Sequence, residues 1–235
     1  MLEGRQLRLF LGSRAILRGV DVAVGPGECL GLFGPNGAGK STLLSILSLQ
    51  REPTSGALRM FGAPAHVDDL ALRRRLGYLG HEPGVFLGLT GMENLVFYGR
   101  LYRLSGVARR AEAALSRVGL GPFRHEIVRN YSAGMRQRLA LARATLHQPD
   151  ILLLDEPHQS LDPAGRDLLD AEIRSQCQRG GAVIFASHEV ARGYRLATRL
   201  MVMRRGKVEW QAEPASAPED EFRRALDGAL GGGVR

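Results

Sequence analysis

The stretch GPNGAGKS, residues 34–41, decides the fold, because it combines a glycine-rich loop with a lysine and a serine at a fixed spacing. A short apolar run, Cys29–Phe33, precedes the stretch, and a helical pattern begins at Lys40. Glycines let backbone N–H groups turn inward around phosphate oxygens, and the N-terminus of the next helix attracts the same negative charge. The spacing therefore predicts a phosphate-binding loop between a strand and a helix. The loop and its neighbour comprise Gly34, Pro35, Asn36, Gly37, Ala38, Gly39, Lys40, Ser41 and Thr42.

Two side chains at the end of this loop carry specific expectations. Lys40 is expected to contact the β- and γ-phosphates of a nucleoside triphosphate, and the Ser41 hydroxyl is expected to bind Mg²⁺. The alternative is a flexible glycine loop without a ligand. The order of strand, loop and helix favours the phosphate-binding interpretation.

Paired carboxylates follow a second apolar run, Ile151–Leu154. Carboxylates are costly in a core unless a strand delivers them to a site, so Asp155 and Glu156 are candidate functional residues. Asp155 is expected to hold Mg²⁺, and Glu156, which points differently, is expected to activate the attacking water as a general base. The alternative is that both residues only mark the end of a strand.

His188 stands in a similar position, two residues after the apolar run Val183–Ala186. A single histidine is more often structural than functional. The neighbouring motifs favour a hydrogen bond from His188 to the γ-phosphate. His66, His125 and His147 lack ligand spacing and are expected on the surface.

A second anion-binding helix start is predicted at YSAGMRQR, residues 131–138, just before the helical pattern 139–146. Ser132 and the backbone around Gly134 would bind phosphate there. A site that already has a phosphate loop has no use for it. The segment therefore predicts contact with a phosphate held by another copy of the chain.

With these motifs in this order, the sequence resembles the ATP-binding cassette family, whose LSGGQ signature corresponds here to YSAGM. The signature residues are then Ser132, Ala133, Gly134 and Met135. Leu161-Asp162-Pro163 resembles the family's D-loop, with Asp162 as its acidic residue, and His188 resembles its switch histidine. The resemblance covers about Leu2 to Ala212. It implies ATP as substrate, Mg²⁺ as cofactor, hydrolysis of ATP, a head-to-tail homodimer and an integral membrane partner.

Four details resemble one branch of the family, the ATPase subunit of the haem exporter of cytochrome c maturation. Met1-Leu2-Glu3 leads directly into the first strands, and Ala133 is the third signature residue. His81 stands where most cassettes have glutamine, and the segment 89–98 resembles the following helix of that subunit. The alternatives are an exporter ATPase for drugs or lipids, a soluble cassette ATPase outside transport, and a subunit that does not hydrolyse ATP.

Several residues depart from the family pattern. His81 takes the place of the glutamine that contacts metal and water, and Met135 replaces the signature glutamine. His158-Gln159-Ser160 replaces Thr-Ser-Gly before the D-loop. The aromatic residue that stacks on adenine should fall near Leu11, and Phe10 is the nearest candidate.

The chain has 235 residues, 44% of them hydrophobic and 24% charged, which is ordinary for a globular protein. The pattern predicts an α/β fold, a RecA-like P-loop NTPase core with a mostly parallel sheet, an antiparallel β subdomain and an inserted helical lobe. A single domain over 1–235 is expected. Its α/β core would comprise 1–88 and 147–212, and its helical lobe 89–146. The C-terminal tail, 213–235, is expected to form a weak helix followed by a mobile end.

Charge and composition limit the classes of partner. The net charge of +8 comes from scattered arginines without interleaved aromatic residues, so nucleic acid is not expected as a partner. Two cysteines, Cys29 and Cys177, are too few for a disulfide framework. No apolar stretch is long enough to span a membrane. The family resemblance implies a position on the cytoplasmic face of the inner membrane, where a membrane subunit holds the chain.

Overall fold

The computed structural model describes residues 1–231, and residues 232–235, part of the predicted mobile end, lie outside the described part. The strands are β1 (Leu2–Leu11), β2 (Arg14–Val24), β3 (Cys29–Phe33), β4 (Ser55–Met60), β5 (Ala63–Pro64), β6 (Leu76–Leu79), β7 (Ile151–Asp155), β8 (Ala182–Ala186), β9 (Arg199–Arg204) and β10 (Lys207–Ala212). The helices are α1 (Lys40–Leu47), α2 (Leu70–Arg73), α3 (Gly91–Leu101), α4 (Val107–Arg117), α5 (Ala133–Thr145), α6 (Pro163–Gln178), α7 (Val190–Leu196) and α8 (Glu219–Gly231).

A six-stranded sheet in the order β10-β9-β3-β8-β7-β6 forms the centre of the molecule. All its pairings are parallel except that of β10 with β9. Every residue of β3, β7 and β8 is buried, as expected for parallel strands that are covered on both faces. The predicted α/β fold with a mostly parallel sheet is confirmed.

A second, antiparallel sheet has the order β2-β1-β4-β5. Its strands β1 and β2 form a hairpin in which Leu2 pairs with Val24 and Leu11 with Arg14. Buried leucines and valines of this sheet pack on the same core as the inner face of β3 and α1. The antiparallel β subdomain is therefore present, as predicted.

The segment predicted to be helical, between Thr90 and Leu146, contains α3, α4 and α5 with two short 3-10 turns, Gly121–Phe123 and Val128–Asn130. Helix α3 begins with a capping box in which Thr90 and Glu93 satisfy each other's backbone N–H groups. Helix α5 also contacts the central sheet, since the Arg143 guanidinium donates to the Tyr78 carbonyl at 2.9 Å. The helical segment is thus joined firmly to the sheet.

The chain after Ala212 returns to the core through α8. Phe222 is fully buried, and its ring lies 4.8 Å from that of Phe33 and 5.8 Å from that of Trp210, centroid to centroid. The weak helix predicted for this tail is therefore an element of the packed structure. Within residues 1–231, no helix has the length and apolar character needed to cross a bilayer.

The surface position expected for His147 is wrong. Its ring is half-buried and stacks on Tyr102 with 3.9 Å between centroids, and its Nε2 lies 2.9 Å from the Leu76 carbonyl. Burial lowers the pKa of His147 to about 4. His66 and His125 are exposed, as expected.

Candidate active site

A cavity of about 690 Å³ opens at the carboxyl ends of the parallel strands. Strands β3, β8, β7 and β6 are neighbours in the sheet and run in the same direction, so the loops that follow them meet at one edge. Ligand sites of open α/β sheets lie at this edge. The cavity volume is in the range of a small-molecule site.

The cavity brings together most of the residues that the sequence singled out. Predicted residues in its lining are Asn36, Gly37, Ala38, Gly39, Lys40, Ser41, Thr42, His81, Asp155, Glu156 and His188. The described lining does not include Gly34, Pro35, Phe10, Ser132, Ala133, Gly134, Met135 and Asp162. The first two of these belong to the loop itself, and the others lie on β1, at the start of α5 and before α6.

Two positions in the loop, Gly34 and Gly39, require glycine for steric reasons. Gly34 has φ +136°, and a Cβ there would lie 2.0 Å from the Met203 carbonyl oxygen. Gly39 caps α1 with φ +106°, and a Cβ there would lie 2.8 Å from the Leu17 side chain. Only glycine fits both places without displacing neighbouring chain, so the loop closes tightly over the start of α1.

Lys40 reaches back over this loop. Its ammonium group donates to the Gly34 carbonyl at 2.7 Å and to the Pro35 carbonyl at 3.2 Å, and the residue is 6% exposed. Burial lowers the pKa of Lys40, while the carboxylates of Glu156 and Asp155 oppose that lowering. A lysine held at the loop in this way is placed for an anionic group in the cavity.

The residues fit a divalent cation. Asp155 is 4% exposed, and its Oδ1 has no hydrogen-bond partner among residues 1–231. A buried carboxylate oxygen without a partner is costly, and a cation would remove that cost. Mg²⁺ prefers oxygen ligands, and the Ser41 hydroxyl lies in the same cavity.

Glu156 directly follows β7 and has a left-handed backbone, with φ +49°. Its Oε1 lies 3.1 Å from His188 Nε2, and its Oε2 accepts a hydrogen bond from the His188 backbone N–H at 3.2 Å. Burial raises the pKa of Glu156, although the charges of His188 and Lys40 oppose this shift. A carboxylate with a raised pKa and a fixed position is suited to accept a proton from water.

The second predicted anion site lies outside this cavity but next to it. Ser132 caps α5, with its hydroxyl accepting from the Met135 N–H at 3.1 Å. A Cβ on Gly134 would lie 2.9 Å from the Ser160 carbonyl oxygen, so α5 starts against the loop that follows Glu156. Asp162 caps α6, accepting from the Gly165 N–H at 2.8 Å. The start of α5 therefore borders the cavity through Ser160, but residues 132–135 are not part of its lining.

Phe10 lies on β1 and is exposed, and its backbone N–H donates to the Thr54 hydroxyl at 3.1 Å. The structure does not bring its ring into the cavity lining. Its contact with adenine stays a prediction.

Some lining residues were not predicted. Arg166, on the first turn of α6, donates to the Leu161 carbonyl at 3.1 Å and lies 3.3 Å from the Glu189 carboxylate. In the sequence, only its position four residues after Asp162 could have indicated Arg166 as a lining residue. The other unpredicted lining residues are His158, Gln159, Ser160, Ser187 and Glu189.

Comparison with known proteins agrees with this arrangement. The sequence model of the ABC transporter family matches residues 17–159, more than half of the chain. The daunorubicin/doxorubicin resistance ATP-binding protein of Streptomyces peucetius is 37% identical over 86% of this chain and 62% of its own length. The cytochrome c biogenesis ATP-binding export protein CcmA 2 of Cupriavidus metallidurans is 37% identical over 80% of this chain and 90% of its own length. The chain thus spans 62% to 65% of the length of several curated relatives that it matches.

A solved structure supports the same assignment. The dimeric post-hydrolysis state of an ATP-binding cassette bound to ADP and phosphate has a TM-score of 0.84 and 25% identity, covering 91% of this chain and 99% of that chain. The family resemblance of the motifs is confirmed, and cytochrome c biogenesis ATP-binding export proteins are among the relatives. By its sequence and by its fold, the chain belongs to the ATP-binding cassette family of ABC transporter proteins.

Proposed function

We propose that the chain is the ATP-hydrolysing subunit of an ABC transporter. The observation that supports this most is the single cavity in which Lys40, Asp155 and Glu156 meet at the carboxyl edge of the sheet. The reaction is the transfer of the γ-phosphoryl group of ATP to water. Lys40 binds the phosphates with the loop amides, and Ser41 and Asp155 hold Mg²⁺, which neutralises charge on the phosphates when bound.

Glu156 takes the proton of the attacking water in this proposal. His188 holds the carboxylate from two sides, through its ring and its backbone N–H. These two contacts fix the position of the carboxylate in the cavity. His188 is also placed to donate to the γ-phosphate once nucleotide enters the cavity.

Removal of the metal tests the reaction directly. Phosphate release from ATP should require Mg²⁺ and should stop when a chelator removes it, because Asp155 Oδ1 then has no counter-charge. The measurement is phosphate release by the full chain with excess Mg²⁺ and then with excess chelator. Turnover that persists without any divalent cation would contradict the assignment of Ser41 and Asp155.

The shifted pKa values of Glu156 and Lys40 predict how turnover and affinity depend on pH. The raised pKa of Glu156 means that kcat should fall, on acidification, at a higher pH than an ordinary glutamate would give. The lowered pKa of Lys40 means that affinity for Mg-ATP should fall, on alkalinisation, at a lower pH than an ordinary lysine would give. Steady-state rates across pH measure both limbs. A kcat that stays constant down to the pKa of an exposed glutamate would contradict the role of Glu156.

A head-to-tail homodimer is part of the proposal. Ser132 and Gly134 form a helix start outside the lining of the cavity of their own chain, and the dimeric cassette bound to ADP and phosphate supports a shared site. Each ATP is held between the loop residues of one copy and the signature residues 132–135 of the other. Asp162 stands between the two sites as the D-loop residue. Phe10 is proposed to stack on adenine.

An integral membrane subunit is the proposed partner, which places the chain at the cytoplasmic face of the inner membrane. Segment 89–146 is proposed as the lobe that meets this subunit. Large exposed apolar side chains near the His81 loop support that assignment; they are Phe86, Leu87, Phe97 and Leu101. The chain drives the partner by closing and opening as a dimer.

Haem export in cytochrome c maturation is the proposed transport process. The relative from Cupriavidus metallidurans, which the match covers over 90% of its length, supports this choice. Drug or lipid export is the second candidate, supported by the Streptomyces peucetius relative at the same 37% identity. Purification of the chain from its native membranes should yield the integral partner. A haem-handling partner supports the first process, and a partner that carries drugs or lipids replaces it with the second.

His81 gives a further prediction, since it is exposed and lines the cavity where most cassettes have glutamine. His81→Gln should remain active, because an amide also contacts water and metal. His81→Ala should keep its affinity for ATP, which Lys40 and the loop supply, and should lose most of its turnover. Binding and steady-state assays on both variants separate these effects. Normal turnover in the alanine variant would leave His81 without a role in the reaction.

A further inference from the structure

A series of polar contacts connects the loop that carries Glu156, after β7, with the loop that carries His188, after β8. His158, two residues after Glu156, has its Nε2 2.8 Å from Asp170 Oδ1 on α6. The other oxygen of Asp170 accepts from Arg192 on α7. Arg192 also lies 3.5 Å from the carboxylate of Glu189, the residue that follows His188. Asp170 and Arg192 therefore connect the loop of Glu156 with the loop of His188.

The loop that carries Glu156 needs such support. Glu156 and Ser160 both have left-handed backbones, with φ +49° and +64°, although neither is glycine. Such conformations are strained for residues other than glycine, and they persist only where the surroundings hold them. His158 lies between the two and is 2% exposed. Its buried side chain is therefore placed to hold the loop in this strained conformation.

The chemistry of the His158 ring makes its contact with Asp170 specific. A carboxylate accepts hydrogen bonds, so Nε2 carries the proton of this contact. Among residues 1–231, the other ring nitrogen, Nδ1, is buried and has no hydrogen-bond partner. The bond to Asp170 is thus the polar contact that fixes the orientation of the ring.

At the other end of this series of contacts, the loop that carries His188 is held through its neighbour Glu189. Arg166, which lines the cavity, lies 3.3 Å from Glu189, and the Glu189 N–H donates to the Ser187 hydroxyl at 3.0 Å. His188 itself contacts Glu156 at 3.1 Å. A displacement of either loop would therefore lengthen the contact between Glu156 and His188.

From these contacts we infer that His158 is a positioning residue, which through Asp170 and Arg192 holds Glu156 in register with His188. This inference rests on the proposed ATP hydrolysis. His158 contributes to the cavity lining, but its polar contact is with Asp170 and not with a reacting group. Its loss should lower kcat and leave the affinity for Mg-ATP unchanged, because Lys40 and the loop amides bind the phosphates.

Three variants test the inference in the full chain. His158→Leu keeps apolar volume and removes the hydrogen bond, and kcat should fall about tenfold or more, since small displacements of reacting groups have effects of this size. His158→Gln supplies an amide N–H toward Asp170 and should restore most of the rate. Asp170→Asn weakens the same contact from its other end. Its effect should overlap with that of His158→Leu in the double variant instead of adding to it.

His147→Leu is the matched control. His147 is also partly buried, also makes one ring contact to oxygen, at 2.9 Å from the Leu76 carbonyl, and also has a buried Nδ1 without a partner among residues 1–231. It lies near the start of β6, away from the cavity lining. His147→Leu should change the thermal midpoint of unfolding and leave kcat per folded molecule unchanged.

The outcomes separate the inference from the proposed function. A wild-type chain that does not hydrolyse Mg-ATP would overturn the proposed function. A wild-type chain that hydrolyses it, with kcat in His158→Leu and Asp170→Asn within twofold of wild type, would overturn only the inference. Equal losses in His158→Leu and His158→Gln would also overturn it. Should His158→Leu fail to fold, the glutamine and asparagine variants still decide the question.

Discussion

Glu156→Gln is expected to bind Mg-ATP as tightly as the wild type and to lose about 10²- to 10⁴-fold in kcat, the range of general acid–base catalysis. The carboxylate removes a proton from water, whereas the phosphates are held by Lys40 and the loop. Because ATP is bound and not hydrolysed, the variant should accumulate as a dimer. Phosphate release, nucleotide affinity and size-exclusion chromatography in Mg-ATP measure the three effects.

Two outcomes would contradict this expectation. Wild-type turnover in Glu156→Gln would remove Glu156 from the reaction. A variant that binds Mg-ATP and stays monomeric at saturation would argue against a nucleotide held between two copies. Glu209→Gln is a useful comparison, because Glu209 is exposed on β10 and lies outside the cavity lining. It should retain much more of the turnover.

Lys40→Ala should lose nucleotide affinity and turnover together. The lysine is placed to contact the phosphates in the ground state and in the transition state, so its loss weakens both. A hydrogen bond to a charged group contributes about 1.5–3 kcal/mol, which corresponds to about a 10- to 100-fold loss in affinity. Nucleotide titration and steady-state kinetics on the same preparation measure the two losses.

Lys207→Ala is the matched control, because Lys40 and Lys207 are the two lysines of the chain. Lys207 is exposed at the start of β10 and lies outside the cavity lining. Its replacement should change neither affinity nor turnover. Full turnover in Lys40→Ala would show that the phosphates do not bind at the loop 34–41.

The local patterns of the sequence account for much of the fold. The loop 34–41 and the apolar runs that end at Asp155 and near His188 each mark the carboxyl end of a strand, so their convergence follows from a parallel sheet. Strand β2 begins at Arg14, and its full length is not indicated by the sequence, because the exposed Arg14, Arg18 and Asp21 interrupt the apolar pattern.

Strand β6 and helix α7 were not predicted from the sequence, because both are short and contain glycine. In β6 a Cβ on Gly77 would lie 2.4 Å from the Ala144 carbonyl oxygen, and in α7 a Cβ on Gly193 would lie 2.4 Å from the Phe33 ring. Contacts with residues far away in the sequence require glycine at these two positions, so local propensity does not indicate the two elements. Long-range packing decides both elements.

The same limit applies to the site. His158 could be recognised as a departure from the family pattern, but its partner Asp170 lies on another element, and no spacing rule joins the two. Arg166 is in the same situation with Glu189. Residues that bind ligand follow from motifs at strand ends, whereas residues that position them follow from tertiary contacts.

A mixture of two inactive variants tests the shared site most directly. Glu156→Gln lacks the base of its own cavity, and Ser132→Arg fills the helix start that the partner's phosphate would occupy. In a mixed dimer, one site carries both defects and the other carries neither. Random pairing should restore activity to at most about a quarter of the wild-type rate, since half of the dimers would be mixed and each would have one intact site of two. Activity no higher than the sum of the two variants measured separately would contradict a site built from two copies.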